Sequence, residues 1–327
     1  MKTATVCALI FAALLVVAPF SIRGIACGHD LSFHMNGWME VAQQWREGVV
    51  LPRWAAYANY GSGEPRFLFY PPLSWILGGV LGSLVPWLFV PVAFDLCAVF
   101  LAGMAMHAMA REWFTEPDAT LIALAYAVNP YMLLTIYARS AFAELLAASF
   151  LPLLVLWIVR DRPARKMVAP LAVTIAGVWL TNVPAAIIAS YVAVLLLVVV
   201  TLIRRNSRVF LYGAGAMALG VALASFYIVP VLYEKSWITL GQVLAAGIRP
   251  AENFLFARTG ETNHDEFLRA LSWLAVGEIA VTGAAIGAAR GWRQSNPKLW
   301  RSLVVLFLAA LVLMLPVAGL AASSRPA

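Results

Sequence analysis

Asp30 stands between His29 and His34 in GHDLSFH at 28–34, and Arg139 and Glu144 stand together in YARSAFAE at 137–144. These residue types offer three kinds of chemistry. A carboxylate can take a proton from an acceptor hydroxyl, with burial raising its pKa toward the working range. It can join histidines as a metal ligand, or it can simply cap the helix that follows it. His29, Asp30, His34 and Glu144 make a thin metal set, so a divalent metal is left open rather than assigned. Arg139 can clamp a phosphate through two parallel N–H bonds where a lysine offers a point charge. It can equally pair with Glu144 to anchor the turn. Arg53, Arg66 and Lys235 are further cations, each able to meet a phosphate or a lipid headgroup. Tyr70 adds a supporting group in the aromatic run 57–72. One acid with several cations suits a reaction whose leaving group is a lipid phosphate.

The chain that must position these residues is mostly hydrocarbon. Of 327 residues 62% are hydrophobic and 12% charged, with mean hydropathy +0.83, whereas a soluble domain carries about 25% charged residues. A soluble enzyme is excluded, and an all-α, polytopic membrane bundle is implied, with membrane lipid as its first partner. Net charge +7 and pI near 9.5 would also suit a nucleic-acid binder. The basic residues, however, gather in short clusters between apolar blocks, as the positive-inside rule expects, so nucleic acid is not a partner. Cys7, Cys27 and Cys97 show no pairing or metal spacing.

The polar stretch 28–72 cannot lie in lipid, because unpaired polar groups and irregular backbone are too costly there. Residues 3–20 are long enough to cross a ~30 Å hydrocarbon core and read as an uncleaved signal-anchor rather than a cleaved signal peptide. The N-terminus is then cytoplasmic and the loop 21–86 extracytoplasmic, in the cytoplasmic (inner) membrane. Met35, Trp38, Ala42 and Trp45 recur at helical spacing, predicting an interfacial amphipathic helix over 35–48. The basic loop RDRPARK at 160–166 should be cytoplasmic, which demands an odd number of crossings before it. The short block 72–85, bracketed by Pro71, Pro72 and Pro86, is therefore a second interfacial or re-entrant helix. Spans at 87–110, 119–136, 141–159, 167–182, 185–203, 209–231, 271–289 and 302–321 join the first to make about nine. The whole of 1–327 is expected to form a single transmembrane domain. Asp30, Arg139 and the 233–269 loop holding Lys235 fall on one face.

The ordered series GHDLSFH, LPRW, NYGSGEPRFLFYPPLSW, YARSAFAELLAASFLPL, TNVP and FYIVPVLYE resembles the bacterial membrane family labelled "6-pyruvoyl-tetrahydropterin synthase-related domain, membrane protein". Nothing in the chain is similar to a pterin synthase, which is soluble and zinc-dependent. The family in turn resembles the GT-C superfamily of integral-membrane glycosyltransferases, which use polyprenyl-phosphate or polyprenyl-diphosphate sugar donors. On that resemblance, residues 1–240 are a GT-C-like module and 241–327 a further loop and two spans. Asp30 takes the place of the first-loop catalytic acid, and Arg139 and Glu144 take second-loop positions. His29, His34 and Tyr70 are supporting groups, with Arg139, Arg53, Arg66 and Lys235 on the donor phosphate. The second loop lacks an Asp-x-Asp. The activity implied is transfer of a sugar from a polyprenyl-linked donor to an extracytoplasmic acceptor. A lipid or polysaccharide transporter would instead line several spans with charge, where only Asp95 stands out, and a non-catalytic scaffold would disperse the loop charges.

Overall fold

The computed structural model describes residues 2–239, 249 and 252–315. Among them the regular structure is helical, apart from an isolated antiparallel bridge between Ala55 and Glu64. Chain contacts divide the molecule into two units, Met1–Leu197 with Asn206–Tyr233, and Val198–Arg205 with Glu234–Ala327. The second unit holds the helices Thr262–Ala288 and Pro297–Leu313. Within it the Phe256 amide donates to Ser272 Oγ at 2.9 Å and the Leu255 amide to Met314 O at 3.2 Å.

Among the described residues six helical stretches are long and apolar enough to cross a membrane: Thr3–Arg23, Trp87–Ala110, Glu116–Arg139, Phe142–Val159, Val183–Arg204 and Thr262–Ala288. A seventh is gained if Ser207–Leu223 and Ser225–Tyr233, bent by 70° at their junction, count as one span. This is fewer than the nine expected from apolar blocks. The block at 167–182 yields a helix of only 12 residues, Val168–Trp179, which at ~1.5 Å per residue falls well short of a bilayer core. The block at 302–321 yields Pro297–Leu313, with 17 residues, and residues 316–321 lie outside the described residues. Apolar composition alone does not separate a full span from a shorter helix.

Both helices expected in the first polar loop are present. Leu31–Arg46 is amphipathic, burying Trp38, Val41 and Ala42 while Met39, Gln43 and Arg46 face out. Pro72–Leu84, 13 residues long, is too short to span and packs against it. The contact depends on glycine: a Cβ on Gly78 would lie 2.3 Å from the Trp38 ring, so only a residue without a side chain lets the two helices approach. Trp38 is 0% exposed and stacks on Phe94 of the Trp87–Ala110 span at 5.0 Å with the rings 8° apart. Phe142, at the start of the Phe142–Val159 span, meets both rings edge-on. The amphipathic helix is thereby fixed onto the ends of two spans. Truncating an indole so buried typically costs about 3–5 kcal/mol.

Candidate functional site

The chain leaving the first span is held against the turn that begins the Phe142–Val159 span. The Asp30 amide donates to Arg139 O at 3.0 Å, the Gly28 amide to Ser140 Oγ at 3.1 Å, and Ser140 Oγ to Ala26 O at 3.2 Å. A Cβ on Gly28 would lie 2.3 Å from the Arg139 carbonyl carbon and 2.5 Å from the Ser140 nitrogen, so the approach requires glycine. On the other side Thr135–Arg139 forms a widened, π-type turn that ends at Ser140 in the left-handed conformation, φ 51°. Such bulges recur at functional sites because they re-aim a side chain at a cost in backbone strain.

That turn aims Arg139 at Glu144. Arg139 Nη2 lies 2.8 Å from Glu144 Oε2 and Nη1 donates to Oε1 at 3.0 Å, an end-on fork. Nη1 also donates to the Tyr131 hydroxyl at 3.3 Å, and that hydroxyl donates in turn to Glu144. A guanidinium has five N–H donors. These contacts leave its Nε–H edge and the second Nη2 hydrogen for a ligand.

Asp30 occupies the N-cap position of Leu31–Arg46, yet its side chain makes no capping bond. Capping is therefore not its role. Its carboxyl is raised above the ordinary range, first by partial burial; the Arg139 and His29 charges oppose that shift and the Glu144 charge reinforces it. Those influences place His29, Arg139 and Glu144 within electrostatic reach of one acid. The Tyr70 hydroxyl is also pushed up, first by burial and next by the Asp30 charge, so Tyr70 belongs to the same group. A half-buried carboxylate with a raised pKa beside a clamped guanidinium can accept a proton on one side while a cation holds an anion on the other.

The remaining expected residues lie elsewhere. His34 is 3% exposed, and its ring sits 5.3 Å from Phe142 and 5.8 Å from Tyr70; burial lowers its pKa to about 4, so it stays neutral. Arg66 pairs with Glu64 at 2.5 Å and lies over the Phe33 ring at 5.1 Å. Arg53 donates to Phe226 O at 2.9 Å, tying the loop to the bent helix pair. Lys235 is exposed in the second unit, within Lys235–Trp237. Among the described residues no three His, Cys, Asp or Glu side chains gather as a metal set. Sequence reasoning missed Tyr131, Ser140 and Gly28. Each is chemically ordinary, and Ser140, through its hydroxyl, and Gly28, through its bare backbone, act on a segment more than a hundred residues away, which no residue type signals.

A family model described as "6-pyruvoyl-tetrahydropterin synthase related domain; membrane protein" matches residues 67–245, more than half of the chain. The match contains Tyr70, Tyr131, Arg139 and Glu144 and begins after Asp30. Neither a curated protein nor a solved structure matches.

Proposed function

The chain belongs to the 6-pyruvoyl-tetrahydropterin synthase related family of membrane proteins, and from that premise we propose that it is a GT-C-like glycosyltransferase. The substrate would be a sugar on a polyprenyl phosphate or diphosphate. The observation that carries the reading is the docking of the Gly28–Asp30 turn on Arg139–Ser140, which brings one acid from the first loop to the cation and second acid of another.

In this reading Asp30 removes the proton from an acceptor hydroxyl as its oxygen attacks the anomeric carbon. The carbon–oxygen bond to the lipid phosphate breaks, and the phosphate leaves with the bonding pair. The configuration at that carbon inverts. Arg139 offers its unused Nε–H edge to the leaving oxygen, where a fixed cation in a poorly solvated site stabilises the charge that develops. Glu144 and Tyr131 hold that guanidinium in place, and Tyr70 and His29 line the approach to the acid. Nine crossings of the cytoplasmic membrane, with this face outward, would let the donor enter sideways from lipid, beneath the Pro72–Leu84 helix. Arg53, Arg66 and Lys235 are then anchors for headgroups rather than ligands of the reacting phosphate.

The test is a screen of isoprenoid-linked sugar donors with purified protein in lipid, run beside Asp30→Asn. Transfer by the native chain that is lost in the variant, at equal expression and melting temperature, supports the reading. Transfer that persists in Asp30→Asn overturns the mechanism.

A further inference from the structure

We propose that Arg53 is the latch of a strap: it holds the short helix Ser225–Tyr233 against the loop that carries Tyr70, and an anionic lipid headgroup is the ligand that draws it off. The strap is the second half of a bent helix pair, turned by 70° from Ser207–Leu223 at Ala224. The first half is embedded: a Cβ on Gly220 would lie 2.7 Å from Ala172 O and one on Gly213 2.2 Å from the Leu197 side chain. The second half is not. Its Val229, Leu232 and Tyr233 side chains are exposed, and a helix of 9 residues does not hold without tertiary support. Hydrogen bonds to the first loop supply that support: the Tyr227 hydroxyl donates to Phe69 O and Arg53 Nη2 to Phe226 O, each at 2.9 Å.

The Arg53 bond answers a defect written into the sequence. In an α-helix Phe226 O would accept from the amide of residue 230, one turn further on. That residue is Pro230, which has no N–H and whose ring crowds the same carbonyl. Arg53 therefore meets an acceptor that the helix cannot fill by its usual bond. The surroundings of Arg53 name the competitor. Val50, Leu51 and Trp54 beside it are exposed and apolar, which in a membrane protein places the guanidinium at headgroup depth with its stem among apolar groups. No carboxylate among the described residues pairs with it. A headgroup phosphate accepts charge-assisted bonds about twice as strong as those to a neutral carbonyl, and a guanidinium can take it through two parallel N–H bonds. An anionic lipid that reaches Arg53 thus takes it from Phe226, and the strap keeps only the Tyr227 tie. The latch does not depend on the transferase reading.

The experiment follows hydrogen exchange across residues 225–233 in the full chain, held in phosphatidylcholine nanodiscs. Arg53→Met should speed exchange there by about tenfold, the effect of one lost hydrogen bond to a charged group. Pro230→Ala restores the missing amide, so adding Arg53→Met to it should change exchange by less than about twofold. Tyr227→Phe should speed exchange in both backgrounds, because its bond to Phe69 does not involve Pro230. An equal effect of Arg53→Met in both backgrounds, or no effect in either, overturns the latch; a general failure to fold would not be rescued by Pro230→Ala, and melting temperatures are followed in parallel. Replacing about a third of the lipid by phosphatidylglycerol should speed exchange in the native chain by about three- to tenfold and leave Arg53→Met unchanged. Inorganic phosphate added to phosphatidylcholine discs should do little. An equal response to it overturns lipid as the source of the ligand, and no response to phosphatidylglycerol overturns the release and leaves Arg53 a fixed brace.

Discussion

The helices of the first unit carry a carboxylate near each end, and the two are held in opposite ways. Glu116, at one end of the Glu116–Arg139 stretch, is surrounded by partners: the Lys2 amide at 3.1 Å, Thr5 Oγ1 at 3.2 Å, Arg111 Nε at 2.7 Å and His107 Nε2 at 3.4 Å. Asp30, at the end where Arg139 lies, is fixed through its backbone while its side chain makes no capping bond. Both sit near an arginine and a histidine. A carboxylate with partners on both oxygens clamps the start of the first span to that of another. One positioned by its main chain, with its oxygens spared, keeps its basicity for a substrate. Position, not composition, separates a clamp from a base.

That contrast can be broken first at the two acids themselves. Asp30→Asn should cut transfer by about 100-fold or more, as loss of a general base does, with no fall in melting temperature. Glu116→Gln should do the opposite, lowering the melting temperature while transfer per folded molecule holds. Thermal melts beside donor turnover read both, and a matched outcome in the two variants would erase the distinction.

Gly28→Ala tests whether backbone docking positions the acid. Its Cβ would meet the Arg139 carbonyl carbon at 2.3 Å, so the turn must shift; a loss of about 1–3 kcal/mol in stability is expected, read by denaturation in detergent, with turnover falling alongside. Arg139→Lys keeps the charge and loses the fork. Turnover should fall by about 10- to 100-fold.

The finest test is pH. Because the Asp30 carboxyl is raised above its ordinary value, the acid limb of turnover should lie above about pH 4, where an unperturbed carboxylate would place it. Glu144→Gln removes a charge that raises that pKa, and it also frees Arg139, which lowers it, so the limb should move to lower pH. Stability runs the other way. An acid with a raised native pKa binds its proton more tightly folded than unfolded, so ionising it costs stability as pH climbs through that range. Asp30→Asn should therefore gain slightly over the native chain near neutral pH, with the gain vanishing below the unfolded carboxyl range. An equal difference at all pH values would show that burial does not perturb Asp30.

Much of this was legible from residue order. The apolar blocks gave the membrane class, and Met35, Trp38, Ala42 and Trp45 gave the amphipathic helix, because helical periodicity is a local property. The prolines around 72–85 marked a helix too short to span. The pairing of Arg139 with Glu144 was one of two open readings of a single turn, and it is the geometry observed. The surroundings of His34 were not legible, because its neighbours Phe142 and Tyr70 come from other parts of the chain and leave it buried and neutral. The span count is the harder reading for a related reason: hydropathy records how apolar a block is, not where its helix stops.

By itself the sequence determined what depends on neighbours along the chain: a multispan helical protein, its polar loops, and the acid and cations they carry. The tertiary structure alone decided which of those charges meet. Gly28 must lie on Arg139 before Asp30 can feel that guanidinium, and residues more than a hundred positions apart are joined by hydrogen bonds that no local pattern encodes.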